Sequence, residues 1–256
     1  MNMNENKIFW FFREPRSGSS WLSHALRHKL KRPIINVDPE LFQLGHEMGI
    51  SYATHRFQLI HEMGVSHATH KFQDSLGDRL LSGKLNYNTP GTCYATHIFE
   101  ILTGLSVYKD PPIIIRSIRR NLTELILSTM AIEISKWRLV HMYKDPIKNV
   151  LPSHILHNLV KNPVLVEKPD LMKYMIKIKR RDELWDAYSN NFENYTIVYE
   201  DLEGGVNIPL YEGTIKFGDY DDNIIKTPDY KLELFSNYDQ VVEWVNEFSK
   251  TMKIVR

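Results

Sequence analysis

The chain begins with an apolar run that passes, through a short polar segment, into a helical pattern. Residues 8–12 are β-branched or aromatic without polar alternation, which is typical of a strand buried on both faces of a sheet. From Trp21 onward, apolar and polar positions follow helical spacing. The pattern therefore predicts a strand, a tight turn over residues 15–20 and then a helix.

The same alternation of apolar runs and helical patterns continues along the chain. Prolines precede a second buried-type strand at 113–115, and a helix follows from about Leu122. A long amphipathic pattern covers residues 170–192, and a last helix is expected from about Ser236. Further strands are expected at 34–37, 93–98 and 195–199, and a hairpin at 206–217.

Strands that alternate with helices indicate an α/β fold. We expect three layers: a mainly parallel central sheet, a phosphate-binding loop after the first strand, and crossover helices on both faces. In such folds ligands bind beyond the carboxyl ends of the strands.

Two nearly identical segments, residues 46–58 and 61–73, differ at only three positions. Two copies are too few for a repeat architecture, so we interpret them as a local duplication inside an insertion at about 46–75. A histidine-rich metal or substrate surface is the alternative, although no spacing matches a structural zinc site. The histidines concerned are His46, His55, His61, His67 and His70.

Composition and net charge argue against nucleic-acid-binding, membrane and disulfide-rich secreted proteins. The chain has 256 residues, of which 43% are hydrophobic and 25% charged, as in soluble globular proteins. Its net charge of +1 gives no bulk attraction to nucleic acid or membrane, so we expect neither as a partner. One cysteine, Cys93, rules out an internal disulfide framework, and no secretory or membrane-spanning pattern is present. We therefore expect a cytoplasmic protein.

The turn after the first strand has the parts of an anion site. Arg16 is a cation, Ser17, Ser19 and Ser20 offer hydroxyls, and the helix start offers free backbone N–H groups and a favourable dipole. The segment is not a Walker A sequence, because G-x-x-x-x-G-K-S/T needs two glycines and a lysine, and Gly18 stands alone. An ordinary serine-capped turn is the open alternative.

A second cationic junction, residues 116–121, follows the strand at 113–115. Two anion sites along one parallel sheet suggest a ligand with two separated phosphates.

At this point the sequence resembles the sulfotransferases that use 3′-phosphoadenylyl sulfate (PAPS) as donor. The family's 5′-phosphosulfate loop, P-K/R-S-G-S/T-S/T-W, fits residues 15–21 at every position. Its 3′-phosphate motif, R-N-x-x-D/E with a serine eight residues beyond the arginine, resembles residues 120–124 with Ser128. A Y-E-D-L strand end matches residues 199–202, and a Thr-His strand end matches residues 96–97. The motifs occur in the family's order.

The resemblance implies a single domain over residues 1–256 and a division of roles within it. Arg16 would neutralise charge that builds on the bridging oxygen, Trp21 would stack on the adenine, and Tyr199 would reach the adenine too. Arg120 and Ser128 would hold the 3′-phosphate, with the product 3′,5′-bisphosphoadenosine (PAP) left in the same site. No metal is implied. The implied donor-binding residues are Arg16, Ser17, Gly18, Ser19, Ser20, Trp21, Arg120, Ser128 and Tyr199.

The resemblance also makes His97 the general base that takes the proton of an acceptor hydroxyl, a role that its ordinary pKa of ~6.5 suits. A buried histidine with satisfied ring nitrogens is the alternative. The repeats carry the same Thr-His pair at His55 and His70, and Glu100 is a further candidate base.

The sequence departs from the family at three places. Ala95 stands where many members have lysine, Arg16 stands where many have lysine, and no late R-K-G segment is found. Two other functions stay open. One is a P-loop nucleotide kinase or phosphotransferase, and the other, motivated by Ala95 and the histidine repeats, is a catalytically inactive PAP-binding or nucleotide-binding module. The acceptor, a small molecule or carbohydrate, would bind variable loops at about 38–91 and 136–168.

Overall fold

A computed structural model describes much of the chain but not the duplicated segments. The described residues are 6–31, 33–38, 41, 43, 78–80, 82–106, 108–134, 142–143, 161–208, 213–217, 224–225 and 231–256. The duplication at about 46–75, with its five histidines, lies outside them, so its interpretation stays a prediction.

The secondary structure follows the predicted alternation. The strands are β1 (Phe9–Arg13), β2 (Ile34–Asn36), β3 (Cys93–Thr96), β4 (Ile113–Ile118), β5 (Met142–Tyr143), β6 (Asn194–Val198), β7 (Val206–Asn207), β8 (Thr214–Ile215) and β9 (Ile224–Ile225). The helices are α1 (Ser19–Leu30), α2 (Leu102–Leu105), α3 (Leu122–Ile134), α4 (Lys168–Tyr188), α5 (Lys231–Leu234) and α6 (Tyr238–Met252). Short 3-10 helices cover Phe99–Ile101, Ser189–Asn191 and Tyr199–Glu203.

The central sheet of the described part has five strands in the order β2-β3-β1-β4-β6, and every neighbouring pair is parallel. Two small antiparallel pairs lie outside it, β5 with β9 and β7 with β8. The α/β fold with a mainly parallel sheet is therefore confirmed, and the β7–β8 pair is the predicted hairpin.

Strand β1 lies in the middle of the sheet, and its side chains divide between two cores. Phe9 and Phe11 pack with the apolar side of α1, while Trp10 and Phe12 pack on the opposite face with Leu184 and Trp185 of α4. Helices therefore cover both faces, as predicted, which gives three layers. Each of the four β1 aromatics is almost fully buried. Burial of such a side chain is worth about 1.5–3 kcal/mol, so the position of β1 is firmly fixed.

A third core joins helices α3, α4, α5 and α6. Val241, Val245 and Phe248 of α6 are buried against α3, α4 and α5. Their spacing of three and four residues is that of one helix face. None of the helices in the described part of the chain is long and apolar enough to cross a membrane.

The strand order creates a crevice beside β1. The chain leaves β1 toward β2 on one side, whereas it leaves β4 toward β6 on the other. Adjacent strands whose connections diverge leave a gap outside their carboxyl ends, and ligands of open α/β sheets bind there. The 15–21 loop follows β1 and the arginine-rich junction follows β4, so both predicted anion sites flank this crevice.

Candidate active site

The 15–21 loop reverses the chain through two left-handed residues. Arg16 has φ 65° and Gly18 has φ 67°, and α1 begins at Ser19 with its first backbone hydrogen bond from Leu22 N to Gly18 O, 2.9 Å. The first turn of α1 contains no acidic residue. The N-terminus of α1 therefore offers the positive end of a helix dipole with no side-chain cap and no carboxylate in its own first turn, an arrangement suited to an anion.

Gly18 is required at this place because Tyr199 packs directly on it. A Cβ atom at residue 18 would lie 2.7 Å from Cδ2 and 2.8 Å from Cε2 of Tyr199. Its positive φ adds a backbone reason, since other residues adopt it at a cost. The contact brings Tyr199, which the family resemblance assigns to the donor site, against the 15–21 loop.

Ser17 is buried and its hydroxyl serves the loop itself. Ser17 Oγ donates to Glu14 O at 2.7 Å and lies 2.7 Å from Ser117 Oγ. Because the single hydroxyl proton of Ser17 is used toward Glu14, Ser117 is the donor in the second bond. Ser17 therefore joins the loop to the end of β4. Ser19 is also buried, at the first position of α1.

Arg16 and Ser128 lie together, although the family resemblance assigns them to different ends of the donor. Arg16 Nε donates to Ser128 Oγ at 2.8 Å. Ser128 lies in the second turn of α3 and is buried. The hydroxyl of α3 thus fixes the direction of the loop guanidinium across the crevice.

Arg120 lies at the predicted second junction, where its side chain pairs with Asp201, whereas Ser128 bonds to Arg16. Its side chain is 51% exposed, and its guanidinium donates to both carboxylate oxygens of Asp201 at 3.3 and 3.2 Å. The backbone N–H groups of Arg120 and Asn121 donate to Glu200 at 2.9 and 3.0 Å. Asp201 therefore occupies the guanidinium that the resemblance assigns to a 3′-phosphate, and Glu200 holds the two backbone amides beside it.

Aromatic rings form a wall beside the loop. Trp21 is buried with its ring centroid 4.7 Å from that of Phe217, and Tyr199 meets Phe217 edge-on at 5.4 Å. The guanidinium of Arg119 lies 4.8 Å from the Tyr199 centroid. The structure thus brings both predicted adenine contacts, Trp21 and Tyr199, to one cluster. It adds Phe217, which no sequence motif marked.

His97 follows β3 and is held by a carboxylate that the motifs did not include. Asp38 Oδ1 accepts the His97 backbone N–H at 2.7 Å, and Asp38 Oδ2 lies 2.7 Å from His97 Nδ1. Asp38 also accepts from Thr96 Oγ1 at 2.7 Å and from Arg13 at 2.8 Å. Asp38 follows β2, which pairs with β3, so parallel pairing brings the two residues together.

The surroundings favour a charged Asp38 and a neutral His97. Burial opposes ionisation of Asp38, but the hydrogen bond and charge of His97, with the charge of Arg13, outweigh it and lower the Asp38 pKa to about 2. For His97, burial is the main influence and lowers the pKa below 6.5. Arg13 and Arg181 act in the same direction, and Asp38 opposes them. A neutral imidazole is the form that accepts a proton.

Two other residues of the sequence argument lie apart from this pair. Glu100 is buried with its carboxylate 3.5 Å from Arg180, so it is already in an ion pair. Ala95 lies on β3 with its side chain in the core beneath α1, on the face of Phe9 and Phe11. The position at which many sulfotransferases carry lysine is therefore a core position in this sheet.

A buried ionic cluster supports the segment before the loop. Glu14 is fully buried and accepts from Arg256 at 2.5 Å and from the Arg119 backbone at 3.1 Å. Arg256 also donates to Asp182 of α4, and Arg116 of β4 donates to the same carboxylate. Burial works against the charge of Glu14, but Arg256 overcomes it and lowers the Glu14 pKa below 4.5. The cluster ties β1, β4 and α4 together behind the loop.

The arrangement offers an anion loop with a fixed guanidinium, and a carboxylate-oriented imidazole two strands from the arginine-rich junction. Register places them at one edge, because Phe12 of β1 pairs with both Thr96 and Arg116. Within the described ranges, no group of three or more histidine, cysteine or acidic side chains is placed to hold a metal ion. Chemically, the edge can bind a tetrahedral anion and deprotonate a hydroxyl near it.

Comparison with solved structures gives, among its matches, two likenesses at low sequence identity. No family model matches the chain, and no curated protein is significantly similar to it. A shikimate kinase from Bacteroides thetaiotaomicron is 10% identical with a TM-score of 0.36, covering 97% of this chain and 99% of that chain. A Chloroflexus aurantiacus protein described as a candidate kinase is 15% identical with a TM-score of 0.27, covering 52% and 68%. With both TM-scores below 0.5, neither likeness carries an argument about this chain.

Proposed function

We propose that this protein is a cytoplasmic enzyme that transfers a sulfuryl group from PAPS to a hydroxyl of a small molecule or carbohydrate. The observation that carries the proposal is the segment 15–21, which matches the sulfotransferase phosphosulfate motif at every position and runs from the turn after β1 into the first turn of α1. The carboxylate-held His97 at the same edge supplies the base that the reaction needs.

The chemistry is an in-line displacement at sulfur. His97 Nε2 takes the acceptor's hydroxyl proton while the acceptor oxygen bonds to sulfur. The bond from sulfur to the bridging oxygen breaks, its electron pair stays on that oxygen, and PAP leaves. Arg16, directed by Ser128, stabilises the negative charge on the leaving oxygen, and the α1 amides hold the 5′-phosphate. Positioning provides most of the rate in transfers of this type.

The adenine binds the aromatic cluster of Trp21, Tyr199 and Phe217 beside the loop. The 3′-phosphate falls to Arg120, which exchanges Asp201 for the phosphate when the donor binds. The backbone N–H groups of Arg120 and Asn121 donate to Glu200, so they too would exchange a carboxylate for the phosphate. Donor binding in this proposal therefore includes a change of partner at the β4–α3 junction.

A nucleotide kinase or other phosphotransferase is the second candidate, and the Arg120–Asp201 pair favours it. A donor such as ATP carries no 3′-phosphate, so the junction would keep its internal carboxylates. The loop would then bind the donor phosphates through Arg16 and the α1 amides alone. The absence of a Walker A lysine from the sequence weighs against this candidate.

Nucleotide preference separates the candidates. We expect calorimetry to show tighter binding of PAP than of adenosine 5′-phosphate or ATP with Mg²⁺, and labelled sulfate to pass from PAPS to hydroxyl acceptors. Tighter binding of ATP with transfer of labelled phosphate would replace the proposal with a phosphotransferase. PAP binding without transfer to any acceptor in a broad panel would indicate an inactive nucleotide-binding module.

A further inference from the structure

We propose that Asp38 is a positioning residue that fixes His97 with its proton on Nδ1, so that Nε2 presents its lone pair to the acceptor hydroxyl. The inference rests on the proposed function in one respect, the identity of His97 as the base. It adds a second residue to the proton-transfer step and states how the first is oriented.

The contact geometry restrains both the backbone and the ring of His97. One carboxylate oxygen, Asp38 Oδ1, accepts the His97 N–H at 2.7 Å, and the other, Oδ2, lies 2.7 Å from Nδ1. Asp38 is itself held by Thr96 Oγ1 and Arg13, each within 2.8 Å, and is 2% exposed. With all these partners the carboxylate has little freedom to move, so the imidazole plane is fixed as well.

The chemistry of these contacts selects the tautomer. An ionised carboxylate only accepts hydrogen bonds, so Nδ1 must be the protonated nitrogen of the neutral ring. Among the described residues, none is hydrogen-bonded to Nε2, and the His97 side chain is 21% exposed. The acceptor nitrogen of the ring is therefore the one that a substrate hydroxyl can reach.

The charges around His97 suit a base that must be neutral before transfer and cationic after it. Arg13 and Arg181 disfavour the imidazolium in the resting state, whereas Asp38 stabilises it once the proton has arrived. Arg13 contacts Asp38 Oδ2 and Asn36 Oδ1, at 2.8 and 2.6 Å, so the end of β1 also holds the carboxylate in place. An orienting carboxylate of this kind is worth on the order of 10²–10⁴ in rate where it has been removed from other His bases.

The test combines the ring tautomer with kinetics in the full chain. Nitrogen-15 NMR of wild-type protein should report a neutral His97 with a proton on Nδ1, assigned by its loss in His97→Asn. In Asp38→Asn an amide N–H₂ can face Nδ1, so we expect the proton to move to Nε2. We also expect kcat to fall by about 10²–10⁴ with PAP affinity within about twofold. Asp170→Asn, which removes an exposed carboxylate paired with Lys173, is the matched control. It should change neither the His97 tautomer nor kcat.

The pH profile adds a readout that a structural role would not move. Asp38 raises the pKa of His97, so the acidic limb of kcat/KM should shift to lower pH in any Asp38→Asn activity that remains. A wild-type His97 protonated on Nε2, or an Asp38→Asn enzyme with unchanged kcat, overturns the inference. The wild-type spectrum does not depend on the variant folding. An Nδ1–H tautomer in a protein that transfers no sulfate supports the orientation by Asp38 and overturns the sulfotransferase assignment alone.

Discussion

Arg16 and Ser128 are joined by a hydrogen bond of 2.8 Å from the guanidinium Nε to the hydroxyl, across 112 residues of sequence. The serine of the predicted 3′-phosphate motif thus supports the arginine of the predicted 5′ loop. If Ser128 directs Arg16, its effect on ligand binding should not depend on a 3′-phosphate.

Ser128→Ala should therefore weaken PAP and adenosine 5′-phosphate equally. Loss of one hydrogen bond, about 0.5–1.5 kcal/mol, corresponds to about two- to tenfold in affinity. Isothermal calorimetry with the two ligands measures the ratio. Thr129→Ala is the control, since its hydroxyl bonds Leu125 O within the same helix and both affinities should stay as in the wild type. A selective loss of PAP affinity in Ser128→Ala would place Ser128 at the 3′-phosphate instead.

Asp201→Asn should strengthen PAP binding, because it releases the Arg120 guanidinium from its bidentate carboxylate. The pair is half exposed and worth no more than about 1 kcal/mol, so the gain should be up to about fivefold. Adenosine 5′-phosphate, which lacks the 3′-phosphate, should bind Asp201→Asn and wild type alike.

Arg120→Ala completes that test with the opposite sign, a loss of PAP affinity and none for adenosine 5′-phosphate. Asp186→Asn, on the exposed side of α4, is the control for Asp201→Asn, because it changes the net charge by the same amount away from the junction. If neither Arg120→Ala nor Asp201→Asn alters PAP affinity, Arg120 serves only to hold residues 199–202, and the phosphotransferase candidate gains.

Local pattern predicted the five strands of the central sheet, the hairpin and the long helices α1, α3, α4 and α6. It did not predict the short elements α2, α5, β5 and β9, and it misplaced several ends. The strand predicted at 93–98 ends at Thr96. Beyond that residue, Asp38 accepts the hydrogen bond of the His97 N–H, and Thr96 Oγ1 accepts that of the Ile98 N–H at 2.9 Å. The helix predicted over 170–192 is Lys168–Tyr188 followed by a 3-10 turn. Ends are decided by such competing hydrogen bonds, which periodicity does not encode.

The candidate site was predictable only where a motif is continuous in sequence. The 15–21 loop could be recognised as a strand, turn and helix start, whereas Asp38 and Arg13 could not. Their relation to His97 depends on β2 pairing with β3 and β3 with β1, an order set by long-range packing. Likewise, a spacing of eight residues does not say whether Ser128 turns toward Arg120 or Arg16.

Gly18→Ala should destabilise the protein and weaken every nucleotide. It combines a positive φ of 67° with a Cβ contact of 2.7 Å to Tyr199, and strain of this type costs about 1–3 kcal/mol before the clash is counted. Gly83→Ala is a close control: its φ is 69° with nothing within 4 Å of the added carbon. The difference in the free energy of unfolding between the two variants measures the clash, and equal values would mean that Tyr199 moves aside freely.

Glu14→Gln should destabilise the protein by about 3 kcal/mol at neutral pH, because it removes one of the two carboxylates that pair with the buried Arg256 and leaves Asp182 as the other. The native Glu14 pKa is below 4.5, so the unfolded chain binds more protons once the pH falls toward that value. The contribution of Glu14 to the free energy of unfolding of the wild type is therefore complete above about pH 5, and it declines as the pH drops through the native Glu14 pKa. Asp38, with its pKa of about 2, adds a decline of the same sign.

Urea unfolding of wild type and Glu14→Gln at pH 7, 5 and 3.5 separates the two carboxylates. The difference in free energy between the proteins should be largest at pH 7 and 5 and should shrink at pH 3.5, because the variant lacks the titrating group while Asp38 is common to both. Glu193→Gln removes the charge of an exposed carboxylate that accepts a hydrogen bond from Tyr195, so its stability curve should follow that of the wild type. A Glu14→Gln deficit that does not change with pH would show that Glu14 is held by packing and not by the charge of Arg256.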